Sequence, residues 1–198
     1  NSVVIAQRDI DKNFKTVFIV NKKLNLDSIS DIKGLQKLRN LRFTFGSENS
    51  TSGRLMPEYF LNKVGVEIKD FKGKKAGFSG SHDATLALVN SGAFDVGALN
   101  KQVWENNLRN YSKRTKNIDL FWITPGYVDY HWVAQGDLDN RFRKGFTKEL
   151  KSAILNLDIN NPSHKKILEM FNAKRFIEAE VSQYKILEDI GRKLKKIR

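Results

Sequence analysis

Residues 41–65 carry the most constraining pattern in the chain. Leu41, Phe43 and Phe45 alternate with Arg42 and Thr44, the period-2 signature of a strand. Gly46 interrupts it. Asn49, Ser50, Thr51 and Ser52 then place four short polar side chains before an apolar-periodic run of Leu55, Met56, Tyr59 and Phe60. A strand, a tight loop and a helix start must follow one another. The first turn of a helix leaves backbone N–H groups unpaired and carries the positive end of the macrodipole. Three consecutive hydroxyls add donors that rotate to suit a guest, so the loop is built to hold an anion. An ordinary capped turn would use Ser50 or Ser52 as the N-cap and the others as filler. On this stretch alone the pattern favours the capped turn, because capped strand-to-helix loops are common.

Two further stretches narrow the choice. Residues 78–89 read Phe-Ser-Gly-Ser-His-Asp-Ala-Thr-Leu-Ala-Leu-Val, and residues 94–100 read Phe-Asp-Val-Gly-Ala-Leu-Asn. The order Asn-Ser-Thr-Ser-Gly, Gly-Ser-His-Asp-Ala, Asp-Val-Gly-Ala-Leu-Asn resembles the phosphonate/phosphite/phosphate-binding proteins of ABC transporters. The resemblance runs from about Ile5 to the last helix.

Composition bounds the partners. Thirty-five Lys+Arg against 22 Asp+Glu gives a net charge of +13, which suits anionic partners in general. The cations are spread along the chain. The one dense run, Arg192 to Arg198, reads as a solvated helix end, and no helix-turn-helix, RNP or zinc-finger signature accompanies it. A hydrophobic share of 40% indicates an ordinary globule. Cysteine is absent, which excludes thiol chemistry, and no stretch has the apolar length of a membrane span or the form of a signal peptide.

Taken in order, the pattern predicts a buried strand at 15–20 and a short helix after Ser28 with Ser30 or Asp31 at its cap and Gly34 at its end. The strand and anion loop of 41–65 follow, with Gly65 closing the helix. A short strand near 74–78 precedes a helix capped by Ser81, with Asp83 expected to bond backbone there. Then come a strand at 94–99, a helix at 101–108, and strands at 118–124 and 130–134. Beyond Asp139 the pattern is helical throughout, at 139–157, 162–171 and 178–198. Strands alternating with helices imply an α/β fold with a mostly parallel sheet. His131 and Trp132 read as packing residues on their strand, and His164 as a surface residue.

The resemblance implies a type II periplasmic binding protein, whose two α/β lobes close on a ligand. The chain is expected to supply the second lobe with crossover strands (1–138) and a C-terminal helical segment packing back (139–198), the first lobe being missing. A lone half-site leaves its guest exposed to water, so weak binding by this chain alone is expected. Ser50, Thr51 and Ser52 match residues that hold the phosphorus oxyanion, and His82 follows Ser81 at a second helix start. Gln102 stands where some members carry a carboxylate for a ligand amine, and Asp129 matches another acidic position. The implied function is solute binding for an ABC importer of phosphonate, phosphite or phosphate, with an inner-membrane permease as partner. The chain is expected to be a monomer in the periplasm or outside the cell, with a lipid anchor left open. A ligand-sensing domain of a signalling receptor is the alternative, and nucleic-acid binding on the basic surface a third reading. No catalysis, metal or cofactor is expected: adjacent His82 and Asp83 do not make a triad, and three scattered histidines do not make a metal site.

Overall fold

The computed structural model describes residues 2–197. Asn1 and Arg198, the outer ends of the two expected segments, lie outside the described residues. In chain order the strands are β1 (Ser2–Arg8), β2 (Thr16–Asn21), β3 (Phe43–Phe45), β4 (Gly77–Phe78), β5 (Val96–Asn100), β6 (Ile118–Ile123), β7 (Trp132–Gln135) and β8 (Phe176–Ile177). The helices are α1 (Met56–Lys63), α2 (His82–Asn90), α3 (Lys101–Asn110), α4 (Leu138–Arg141), α5 (Phe146–Leu155), α6 (Pro162–Met170) and α7 (Lys185–Lys193). Contacts divide the chain into two compact units. One joins the residues up to Phe14 with those from Gly126 onward, and the other is Lys15–Pro125. The expected boundary at 138/139 falls inside the first of these. The reason is strand pairing, since β1 bonds both β7 and β8 and so ties the N-terminal residues to the C-terminal part.

The second unit holds a five-stranded sheet in the order β4-β3-β5-β2-β6. β2 is buried at every position, as its β-branched run requires for a central strand. Val17 and Ile19 pack with Leu86, Val89, Leu99, Trp104 and Ile118. Phe18, alternating with them, joins an aromatic layer with Phe43 and Trp122, which Phe60 and Phe71 extend. Fully burying one such ring contributes about 1.5–3 kcal/mol.

Most strands of this sheet run in one direction, as the strand–helix alternation implies, with β2 running against them. β3 runs parallel to β4 and β5, but β2 is antiparallel to β5 and β6. The physical reason is that β2 brings the chain into this unit and β6 takes it out. Entry and exit lie side by side, where Thr16 N–H donates to Thr124 Oγ1 at 3.0 Å.

The first unit has the three-stranded sheet β7-β1-β8. β1 gives no period-2 signal, because its buried positions, Ile5, Ala6 and Gln7, are consecutive. Ile5 and Ala6 pack with Leu168, Ala173 and Phe176, and Trp132 adds an edge contact to Phe171 and Phe176. His131 packs against Tyr184 with ring centroids 4.1 Å apart and the planes tilted by 46°. His164 is half-buried and its Nδ1 accepts from Asp158 N–H at 3.2 Å, so it is not a plain surface residue.

The expected unbroken helicity beyond Asp139 does not hold. Asp139 accepts from Gly145 N–H and from Thr147 N–H and Oγ1, capping α5 from upstream and ending α4 after one turn. Phe176–Ile177 is a strand, and α7 begins only at Lys185 after a 3-10 turn at Val181–Tyr184. Asp31 does cap a helix, but of 3-10 type over Ile32–Leu38, and Gly34 lies within it.

One buried carboxylate sets how β3 meets β5. Asp95 is 6% exposed and accepts from Arg42 N–H, Nε and Nη2 at 2.9, 3.0 and 2.6 Å. The Arg42 guanidinium holds this carboxyl below its ordinary range. Its stabilising effect is therefore present above the unfolded pKa of about 3.9 and is lost as pH falls through the lower folded value. Arg42 is partly exposed, which tempers the effect. Asp95→Asn is expected to cost on the order of 1–2 kcal/mol at neutral pH and to flatten the loss of stability below about pH 4. Urea unfolding across pH 3–7 checks this, and an unchanged acid slope would contradict it.

Candidate anion-binding site

Three parallel strands, β4, β3 and β5, end at one edge of the sheet, and each feeds a helix start. Parallel pairing makes those ends neighbours, the arrangement that places ligands at the carboxyl edge of α/β sheets.

The loop after β3 folds tightly on itself. Gly46 N–H donates to Gly53 O at 2.8 Å, and a side chain on Gly53 would meet Gly46 Cα at 3.2 Å, Ser50 Oγ at 3.0 Å and His82 Cε1 at 3.3 Å. Ser50 is the N-cap, its Oγ accepting from Gly53 N–H at 2.9 Å. The capping role weighed for Ser50 is thus real. Ser50 O then accepts from both Arg54 N–H and Leu55 N–H, opening the first turn, Thr51–Leu55, into a π-helical one. Thr16 Oγ1 supports the turn from β2 by donating to Ser52 O at 2.8 Å.

The loop after β4 binds back onto the first. Ser79 N–H donates to Phe45 O at 3.0 Å and Gly80 N–H to Gly46 O at 3.4 Å. Gly80 takes φ +84°, a left-handed conformation that suits glycine. Ser81 caps α2 by accepting from Ala84 N–H at 3.1 Å, so the cap is Ser81 and not Asp83. The Asp83 carboxylate lies toward Arg114 at 3.7 Å and Asn107 at 3.5 Å.

His82, the first residue of α2, joins all three helix starts. Its Nε2 lies 3.5 Å from Ser52 Oγ, and its Nδ1 faces Asn100 N–H at 3.5 Å. Asn100 in turn caps α3, its Oδ1 accepting from Gln102 N–H at 2.7 Å. Desolvation lowers the pKa of His82 against the opposing charge of Asp83. The ring is therefore neutral at pH 7. An N–H only donates, so Nδ1 must be the unprotonated nitrogen, and Nε2 carries the proton toward Ser52.

The structure thus brings Ser50, Thr51, Ser52 and His82 together, and places Gln102 in the adjoining turn of α3. Ser52 is 1% exposed, while Thr51, His82 and Gln102 are half-buried. Asp129 belongs to the first unit, where it is buried and its N–H donates to Asp11 O at 2.9 Å. The sequence reading missed Arg54, buried in the same π-helical turn and paired with Glu58 at 2.8 Å. Its signal was the Arg–Glu pair at i,i+4 inside an otherwise apolar run. Among the described residues no cluster of His, Asp and Glu has the form of a metal site.

Burial of His82 as a neutral ring has a pH consequence. A histidine with a lowered folded pKa contributes stability above its unfolded value of about 6.5, and that contribution is lost as pH falls below it. An NMR titration of the ligand-free chain is expected to give His82 a pKa below 6.5, with Nε2 protonated at neutral pH. A value above 6.5 would contradict the assignment.

A family model described as the periplasmic substrate-binding protein of phosphonate ABC transporters matches residues 1–184. Over all 198 residues the chain is 81% identical to the "probable ABC transporter phosphite binding protein PhnD1" of Prochlorococcus marinus (strain MIT 9301), covering 67% of that protein. The solved structure of that PhnD1 in complex with methylphosphonate superimposes with a TM-score of 0.96, over 100% of this chain and 72% of that one. The phosphonates-binding periplasmic protein of Escherichia coli (strain K12) is 27% identical over 85% of this chain, which spans 48% of it.

Proposed function

The chain belongs to the periplasmic substrate-binding proteins of phosphonate ABC transporters, and on that premise we propose that it captures a small phosphorus oxyanion, phosphite or a short alkylphosphonate, for delivery to an ABC permease. The observation that carries this reading is the meeting of Ser52 Oγ and His82 Nε2, 3.5 Å apart, where the starts of two helices face each other. A tetrahedral oxyanion offers many lone pairs, and a buried one needs most of them satisfied.

The roles follow from the donors each residue has left. Ser50 Oγ accepts from Gly53 N–H, which leaves its own O–H to donate. Thr51 and Ser52 add two hydroxyls, and His82 adds Nε2–H. The first-turn N–H groups contribute their dipoles as well. Every one of these donors is neutral, so the anion is held by hydrogen bonds and dipoles with no fixed counter-charge against it. Such a site binds without a permanent ion pair to break on release. The +13 net charge raises the local concentration of anions around the protein. Asp129 enters on the family resemblance alone, as a match to an acidic position of the family.

Selectivity rests on Gln102. An amide there gives no counter-charge to a ligand ammonium, whereas a carboxylate would pair with it. Phosphite and methylphosphonate are therefore expected to outcompete 2-aminoethylphosphonate, and Gln102→Glu to shift preference toward the amine. Ser52→Ala and His82→Ala are each expected to weaken methylphosphonate binding about tenfold or more, since a hydrogen bond to a charged group is worth roughly 1.5–3 kcal/mol. Competition calorimetry of wild type and variants decides. A wild-type preference for the aminophosphonate, or full affinity in His82→Ala, would sink the reading.

A further inference from the structure

Arg54 is an unusual residue to find in the first turn of a helix that receives an anion. It is 5% exposed, and its guanidinium lies 4.2 Å from the Phe45 ring centroid and 4.8 Å from that of Phe78. The two rings stack on each other, 5.8 Å apart at 25°. Nη2 pairs with Glu58 Oε2 at 2.8 Å, one turn further along. Nη1 is buried with no hydrogen-bond partner among the described residues. A buried donor left unpaired is costly, so contact with the rings has to outweigh that cost.

The two rings are not arbitrary neighbours. Phe45 is the last residue of β3 and Phe78 the last of β4. The loop leaving Phe45 carries Ser50, Thr51 and Ser52, and the loop leaving Phe78 carries Ser81 and His82. Arg54 itself belongs to the π-helical turn between Ser50 and α1. One planar side chain therefore touches the point of departure of both loops while standing in the turn that the first loop builds.

We propose that Arg54 is a positioning residue, clamping the two loops so that Ser52 and His82 stay at the separation an oxyanion needs; this rests on the function proposed above. The clamp depends on shape as much as charge. A guanidinium is flat and lies against both rings at once, whereas a lysine ammonium is a compact, strongly hydrated point charge that does not. A generic i,i+4 ion pair would sit on an exposed helix face and add only helix stability. Arg54 and Glu58 sit largely inside.

The test uses the 198-residue chain with labelled histidine. In the ligand-free protein, Arg54→Lys is expected to move the His82 ring resonances while unfolding stays cooperative. Its methylphosphonate Kd is expected to rise about tenfold, the loss of one weakened charge-assisted hydrogen bond. Phe78→Leu should shift the same resonances in the same direction, and because Phe78 is 43% exposed it remains informative if Arg54→Lys fails to fold. Lys63→Ala at the far end of α1, where the ammonium lies over Tyr59, should change neither readout. His82 resonances that superimpose on wild type, with Kd within twofold, would overturn the clamp. If wild type binds no phosphorus oxyanion, the function above fails, and the ligand-free resonances still decide whether Arg54 sets the position of His82.

Discussion

Parallel pairing of β3 with β4 and β5 is the constraint on which the site depends. A helix start on its own offers a few outward N–H groups, too few to satisfy an oxyanion. Parallel strands end at the same edge, so successive loops deliver their helix starts to one place. The loops then bond each other through Ser79 N–H to Phe45 O and Gly80 N–H to Gly46 O, which fixes that place. β2 enters and β6 leaves at that same end of the sheet, where Thr16 pairs with Asn100 and Val17 with Ile123, and Thr16 Oγ1 braces the Ser52 turn from there.

The same packing sets the chemistry of the donors. Burial keeps His82 neutral, and the Asn100 N–H facing Nδ1 decides which nitrogen carries the proton. Close approach matters as much as charge, because a side chain at Gly53 would crowd Ser50 Oγ, Gly46 Cα and His82 Cε1 at 3.0–3.3 Å. These are geometric conditions, met by backbone and small residues, and the residues that meet them belong to one compact unit.

How much of this is legible in the sequence varies by element. The strand at Phe43–Phe45, the cap at Ser81 and the helix end at Gly65 follow from alternation and capping chemistry, which are local. The four polar residues before Leu55 mark a loop that opens a helix for the same reason. Other features depend on contacts between distant residues. β1 shows no alternation because its buried residues are consecutive, and it is defined by pairing with β7 and β8 more than a hundred residues away. The pairing that groups the N-terminal residues with those after Pro125 leaves no composition shift to read. Asp139 reads as an ordinary helical residue, yet its carboxylate stops α4 and caps α5. Arg54 reads as the exposed half of a helical ion pair until Phe45 and Phe78 are seen around it.

The most direct test of the site is an amide and imidazole NMR titration of the 198-residue chain with methylphosphonate. The largest shifts are expected on the amides of Ser50–Gly53 and Ser81–Ala84 and on His82 Nε2, and they are expected to persist at high salt. Shifts spread over surface lysines and abolished by salt would mark screened, non-specific attraction, and would contradict a built oxyanion site.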